Sequence, residues 1–348
     1  MRGTLHHGLL GGDSGTPEYL AMTSMGSDGF RVSFSVNTLE YRIGNGQWNT
    51  LEIGSQTPLV ELYETIYFRK SNPTILSKEG MGTFVITGPV LLSGNCMSLL
   101  YGDSASSYTS ITTGSVFRFL FRDNQNSIAV EEGFLPAKSL SWGCYYGMFY
   151  NCTGLLNAPD LPATTLDDNC YMSMFYNCTS LTSAPALPAT TLSYGCYQYL
   201  FSGCTSLTSA PALPATTLAS QCYQYLFNGC TSLTSAPALP ATTLAKQCYY
   251  CMFRGCTSLT SAPALLAPTL VENCYSYMFE NCTSLSYIKM LATDIGSQAN
   301  FLVDPLYYWV RNVPSGGTFV KHPNTSLTIG SYSYNDIPRG WTVQTATS

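Results

Sequence analysis

A 26-residue repeat organises the chain, and no other feature restricts its fold as strongly. The pattern Cys-Tyr-x-x-(Met/Leu)-Phe-x-x-Cys occurs six times without an insertion, opening at Cys144, Cys170, Cys196, Cys222, Cys248 and Cys274 and closing at Cys152, Cys178, Cys204, Cys230, Cys256 and Cys282. A nearly constant linker follows each closing cysteine, as in Thr205-Ser206-Leu207-Thr208-Ser209-Ala210-Pro211-Ala212-Leu213-Pro214-Ala215-Thr216-Thr217-Leu218. A unit this short cannot bury its own apolar stripe, so repeats of this period stack and bury it against their neighbours.

With the first cysteine of a coil numbered zero, the apolar positions are 0, 1, 4, 5 and 8, which predicts an amphipathic helix with one buried face. In one coil these are Cys222, Tyr223, Leu226, Phe227 and Cys230. Positions 2 and 3 vary freely and are assigned to the outward face. The Leu-Thr-Ser-Ala that follows predicts only a short strand, because Pro185, Pro211, Pro237 or Pro263 comes next and donates no backbone hydrogen bond. The expected fold class is therefore an α/β solenoid, strand plus helix per coil, over residues 96–313. Degenerate copies close its ends: Val116 to Asn124 lacks cysteine, and Trp309, Val310 and Val313 fit positions 4, 5 and 8. Residues 314–348 read as a β cap. Upstream, alternation at Phe30, Val32, Phe34 and Val36, and again at Leu39, Tyr41 and Ile43 before Asn45-Gly46, predicts an all-β, sandwich-like domain over residues 25–95. Residues 1–24 are rich in Gly, Ser and Thr without a period, and read as an arm that anchors on a partner surface.

Charged residues make up only 10% of the chain, against about 25% in ordinary soluble domains, so hydroxyls, amides and 25 tyrosines must hydrate the surface. A net charge of −5 with no basic run argues against nucleic acid as a partner. No apolar run approaches a membrane span, and the opening Met1-Arg2-Gly3-Thr4 and its continuation lack the apolar core of a secretory signal.

The residues that carry chemistry point away from catalysis. Cysteines eight apart on a helix are about 12 Å apart, too far for a disulfide within one coil; a bridge between coils is geometrically conceivable, but on the buried stripe the cysteines behave as small hydrophobes. Only Cys248-Tyr249-Tyr250-Cys251 has metal or redox spacing, and Cys251 falls at an outward position with no second pair. The three histidines, His6, His7 and His322, form no nucleophile constellation. Among residues 141–290 the carboxylates are Asp160, Asp167, Asp168, Glu272 and Glu280, with Asp167 and Asp168 placed to favour a helix N-terminus. No catalytic, cofactor-binding or metal-binding residue is assigned. Two faces remain as candidate binding surfaces. Thr182, Ser183, Thr208, Ser209, Thr234, Ser235, Thr260 and Ser261 predict hydroxyl ladders at strand spacing, about 4.7–4.9 Å. Tyr146, Tyr199, Tyr225, Tyr250 and Tyr277 predict an outward aromatic face, offering amphipathic contact at low entropic cost.

The Leu-Pro-Ala-Thr-Thr-Leu linker, the Met-Phe-x-x-Cys-Thr-Ser-Leu block and the closing Gly-Thr-Phe-Val-Lys and Gly-Trp-Thr-Val resemble BspA-like, cysteine-containing leucine-rich repeat proteins of gut Bacteroidetes and their phages. The resemblance covers roughly residues 95 to 348. It implies a curved leucine-rich-repeat solenoid, often behind a small β domain, used for surface binding or adhesion without catalytic residues or cofactor. The function expected from it is a phage virion structural protein at the virion surface: a head-fibre, tail-fibre or decoration subunit. Such a subunit would join other virion proteins through the N-terminal arm, form a homo-oligomer such as a trimer, and contact a host surface glycan or protein. The alternative is a bacterial cell-surface adhesin whose leader has been removed.

Overall fold

The computed structural model describes residues 19–35, 39–70, 82–296, 302–327, 329 and 336–346. The N-terminal part holds strands β1 (Leu20–Ser24), β2 (Val32–Phe34), β3 (Leu39–Ile43), β4 (Asn49–Leu51), β5 (Thr65–Arg69), β6 (Phe84–Ile86), β7 (Val90–Ser93) and β8 (Ile128–Val130). One sheet runs β4-β3-β5-β1-β7-β8, and β2 pairs with β6 in a second. Phe84 joins the two layers, its ring 4.6 Å from Phe34 and 5.1 Å from Phe68.

Two expected boundaries shift. Of the arm expected over residues 1–24, residues 1–18 lie outside the described residues, whereas Leu20–Ser24 form a central strand paired with β5 and β7. Leu20, Ala21 and Met22 are fully buried there, so burial of apolar surface overrides the polar character of the segment's start. At residue 95 the core does not break. β7 pairs in parallel with β8, Val90 opposite Ile128, and carries the sheet into the first coil.

The largest correction concerns the helix expected in each coil. Among the described residues the only α-helix is Ser98–Tyr101, and the cysteine-bounded segments form ribbons of consecutive tight turns. Residues at positions −1, 3 and 7 adopt left-handed backbone, with φ of +54° at Gly143, +57° at Gly147 and +57° at Asn151, and equivalents in every coil. Even positions close a turn three residues back, as Met148 N–H to Tyr145 O at 3.2 Å. Odd positions donate to the next coil, as Tyr145 N–H to Cys170 O at 2.9 Å and Phe149 N–H to Met174 O at 3.0 Å. A left-handed residue every fourth position interrupts the i to i−4 ladder of a helix and redirects alternate N–H groups sideways. Backbone hydrogen bonds therefore join the coils.

Positions 0, 1, 4, 5 and 8 are buried as an amphipathic helix would bury them, because a four-residue turn returns the same face at nearly the same places. Two aromatic rows fill the interior. Rings of Tyr145, Tyr171, Tyr197, Tyr223, Tyr249 and Tyr275 succeed one another at 5.7–5.9 Å, nearly parallel. Phe121, Phe149, Phe175, Phe201, Phe227, Phe253 and Phe279 do so at 5.2–5.9 Å. The closing cysteine completes each rung by donating its S–H to the Phe carbonyl of the preceding coil, as Cys204 to Phe175 O at 3.1 Å and Cys282 to Phe253 O at 3.0 Å.

The tyrosine row carries a polar cost. The hydroxyls of Tyr197 and Tyr249 are buried and find no hydrogen-bond partner among the described residues. Tyr197→Phe removes an unpaired buried hydroxyl without opening a cavity, so a stability gain of about 1 kcal/mol is expected. The measurement is the urea midpoint at unchanged m-value, and a clear loss would show that the hydroxyl is satisfied by water.

In the linkers, Ser183 bridges Ser209 and Thr191 bridges Thr217 in parallel, as single bridges and not extended strands, consistent with the interrupting prolines. Among the described residues, continuous strands return at the C-terminal end. There β9 (Tyr287–Met290), β10 (Thr318–Lys321) and β11 (Thr342–Thr345) form a parallel sheet of order β11-β10-β9. Trp309 stands at position 4 of a last turn ribbon, accepting from Phe279 N–H at 2.7 Å, with its ring edge-on to Phe279 and Phe319. No helix among the described residues is long and apolar enough to cross a membrane.

Candidate functional site

The tyrosines assigned to an outward helical face stand on the turn ribbons, and the structure links them into one aromatic strip. Tyr199 and Tyr225 stack at 4.4 Å, Tyr225 meets Tyr250 at 5.4 Å, Tyr250 meets Tyr277 at 5.6 Å, and Tyr277 meets Tyr307 at 5.4 Å. On the other side Tyr199 meets Tyr176 at 6.3 Å, Tyr176 stacks on Tyr150 at 4.8 Å, and Phe119 contacts both Tyr150 and Tyr146. Tyr150, Tyr176, Tyr307 and Tyr308 were missed by the sequence reading, although an aromatic at position 6 in two consecutive coils marks the first two.

The strip is neutral phenol bordered by cations. Desolvation pushes Tyr277 up to about 12 and raises Tyr199, Tyr225 and Tyr250, so these rings stay uncharged at physiological pH. Arg311 lies 4.6 Å from the Tyr308 ring centre and Arg254 6.0 Å from that of Tyr277. Both guanidiniums pair with the buried carboxylate of Glu280, at 3.3 Å and 2.5 Å, which fixes them between coils.

Cys251, expected at an outward position, is 1% exposed beneath this strip. Burial pushes its thiol up to about 12, with Tyr225 hydrogen-bonding to it and opposing the shift. All fourteen cysteines are free and buried, and Cys248-Tyr249-Tyr250-Cys251 holds no disulfide. Asp167 and Asp168, assigned to a helix N-terminus, instead enter a turn ribbon, and the Asp168 carboxylate accepts the Tyr194 N–H of the next coil at 3.1 Å.

The Thr/Ser positions lie in the bridge segments of the same coils, and all eight are exposed. Their hydroxyls are partly committed: Thr208 Oγ1 donates to Thr182 O and Thr234 Oγ1 to Thr208 O, each at 3.4 Å. A threonine that donates along the stack presents its remaining lone pairs outward, so this face is weighted toward acceptors. The structure does not merge it with the tyrosine strip. Among the described residues no group of three or more His, Cys, Asp or Glu side chains is placed to hold a metal ion.

No curated protein and no solved structure matches the chain. Residues 168–301 match the family model described as BspA type Leucine rich repeat region, in six copies. Over those residues the stacked coils that carry the tyrosine strip and the hydroxyl ladder are similar to BspA type leucine-rich repeats.

Proposed function

We propose that this protein is a non-enzymatic binding module, displayed on a surface, whose tyrosine strip contacts glycan or protein on a facing surface. The observation that carries the reading is the continuity of the strip, in which ring follows ring from Phe119 to Tyr307 with each tyrosine half-buried. Rigid, partly exposed tyrosines supply contact area and hydroxyl hydrogen bonds at little entropic cost, which suits a module that binds by surface and not by cleft. The leucine-rich repeats of BspA type support the same reading.

The bearer we propose is a phage particle, with this chain as a head-fibre, tail-fibre or decoration subunit. Support comes from the resemblance of the repeat to those encoded by phages of gut Bacteroidetes. The proposed partners within the particle are other virion proteins, reached through the residues before β1, and further copies of this chain in a cyclic oligomer such as a trimer. Mass spectrometry of purified particles tests the assignment. The chain at stoichiometric abundance supports it, and absence from particles with presence on the bacterial surface replaces it with the adhesin.

The strip itself is tested by the paired variant Tyr199→Ser and Tyr225→Ser. Attachment of the purified protein to target cells, measured by flow cytometry, is expected to weaken at least tenfold, while Thr208→Ala and Thr234→Ala leave it within about twofold. Unchanged attachment in the tyrosine variant would remove the strip from the binding surface.

A further inference from the structure

We propose that a pocket at the N-terminal end of the tyrosine strip binds the carboxylate of an acidic saccharide. The inference rests on reading the strip as a glycan-contacting surface. It names the residue type recognised at one end.

The pocket has a volume of about 100 Å³ and opens between three consecutive coils, with Ser115, Gly143 and Asn169 along one side and Arg118 and Tyr146 along the other. These are positions −1 and 2 of the repeat. Further along the stack the same positions carry glutamines that bond to one another, Gln221 Nε2 to Gln247 Oε1 at 2.8 Å and Gln198 Nε2 to Gln224 Oε1. Side-chain amides fill the surface there. Here Gly143 has no side chain and Ser115 a short one, which leaves an opening beside Arg118.

What lines the opening differs in chemistry as well as in size. The Arg118 guanidinium carbon lies 4.7 Å from the Tyr146 ring centre and 5.1 Å from that of Phe119, so two rings hold the cation in place. Its Nε is buried without a hydrogen-bond partner, and among the described residues no carboxylate pairs with it. Arg69, Arg122, Arg254 and Arg311 each have such a partner. A partly desolvated guanidinium without a counter-ion, in a protein of net charge −5, is matched best by a planar carboxylate that takes two of its N–H groups. On the rim Trp142 is 51% exposed and packed over Gly114, where an added Cβ would come within 3.1 Å of the indole. An exposed indole beside a carboxylate site offers a stacking face for the apolar side of a pyranose ring. The volume admits one sugar residue in part, not a chain, so the site reads a single uronic-acid unit while the strip contacts what lies beyond it.

Isothermal titration of the full chain with a galacturonic acid trisaccharide, a neutral galactose trisaccharide and inorganic phosphate tests this. The acidic trisaccharide is expected to bind at least tenfold more tightly than the neutral one, with affinity falling as salt rises. Arg118→Gln is expected to abolish that preference, so that the acidic and neutral trisaccharides bind with the same affinity, and Trp142→Ala to weaken both sugars. Arg118→Lys keeps the charge and loses the fork, so it serves as the second variant if Arg118→Gln lowers the melting temperature; a preference reduced severalfold is expected. Equal affinity for the two trisaccharides, an unaltered preference in Arg118→Gln, or phosphate binding as tightly as the uronate would each overturn the assignment. None of those outcomes affects attachment through the tyrosine strip, so the two readings fail separately.

Discussion

Raising the pH from 9 to 11 is expected to unfold the protein in one steep transition that releases many protons. Burial pushes the thiols of Cys144, Cys152, Cys204, Cys222, Cys274 and Cys282 up to about 12 from an ordinary 9.0, and raises those of Cys170, Cys178, Cys230, Cys248 and Cys256 well above it. The folded chain keeps these protons while the unfolded chain gives them up above 9. Stability is thus fully present below that value and falls as pH rises toward 12. At pH 10 the eleven thiols together cost on the order of 10 kcal/mol, comparable with the whole stability of an ordinary domain. The row of tyrosines from Tyr145 to Tyr275, raised by the same burial, adds to the loss above pH 10. Circular dichroism and phenolate absorbance, followed together, are expected to change at one midpoint. Phenolate appearing across the whole row while the dichroism stays native would contradict the burial.

Phe201→Ala is expected to cost about 3–5 kcal/mol, because it removes a fully buried ring that stacks on Phe175 at 5.6 Å and on Phe227 at 5.8 Å. Backbone hydrogen bonds fix the distance between neighbouring coils, so the site cannot collapse to fill the void. In a stack where each coil rests only on its neighbours, weakening a central rung also uncouples the two halves. Urea unfolding of this variant is therefore expected to broaden or split, with a lower m-value for each step. Phe201→Leu keeps most of the volume and is expected to cost about 1.5 kcal/mol or less in a single transition. A sharp, unshifted transition for Phe201→Ala would show that the rungs are not held in this register.

Part of the outward face was legible in the residues, although Ser173, Gln224, Cys251 and Ser276 at the same positions 2 and 3 are buried. Tyr146, Tyr199, Tyr225, Tyr250 and Tyr277 were assigned outward from the freedom of positions 2 and 3, and they stand on one strip with Tyr150 and Tyr176 from position 6. Which coil-to-coil neighbours touch was not legible, since it depends on ring orientation across the stack. The pocket at Arg118 was hidden for the same reason. Its parts come from three coils, and only stacking brings Ser115, Gly143 and Asn169 of position −1 together with Arg118 and Tyr146 of position 2.

The period of 26, the stacking of its units and the burial of positions 0, 1, 4, 5 and 8 follow from the amino-acid sequence alone, because apolar spacing dictates which side chains leave water. The backbone path does not follow from that spacing. Over nine residues a helix of 3.6 per turn and a ribbon of four-residue turns bury the same set, and the distinguishing mark lies elsewhere, in position 7. It holds only Asn or Gly, at Asn151, Asn177, Gly203, Gly229, Gly255 and Asn281, the residue types that accept left-handed backbone at least cost. Tertiary structure decided between the two paths. In a stack, alternate N–H groups that a helix would use internally reach carbonyls of the next coil, and the gain is repeated at every rung while a lone coil could not realise it.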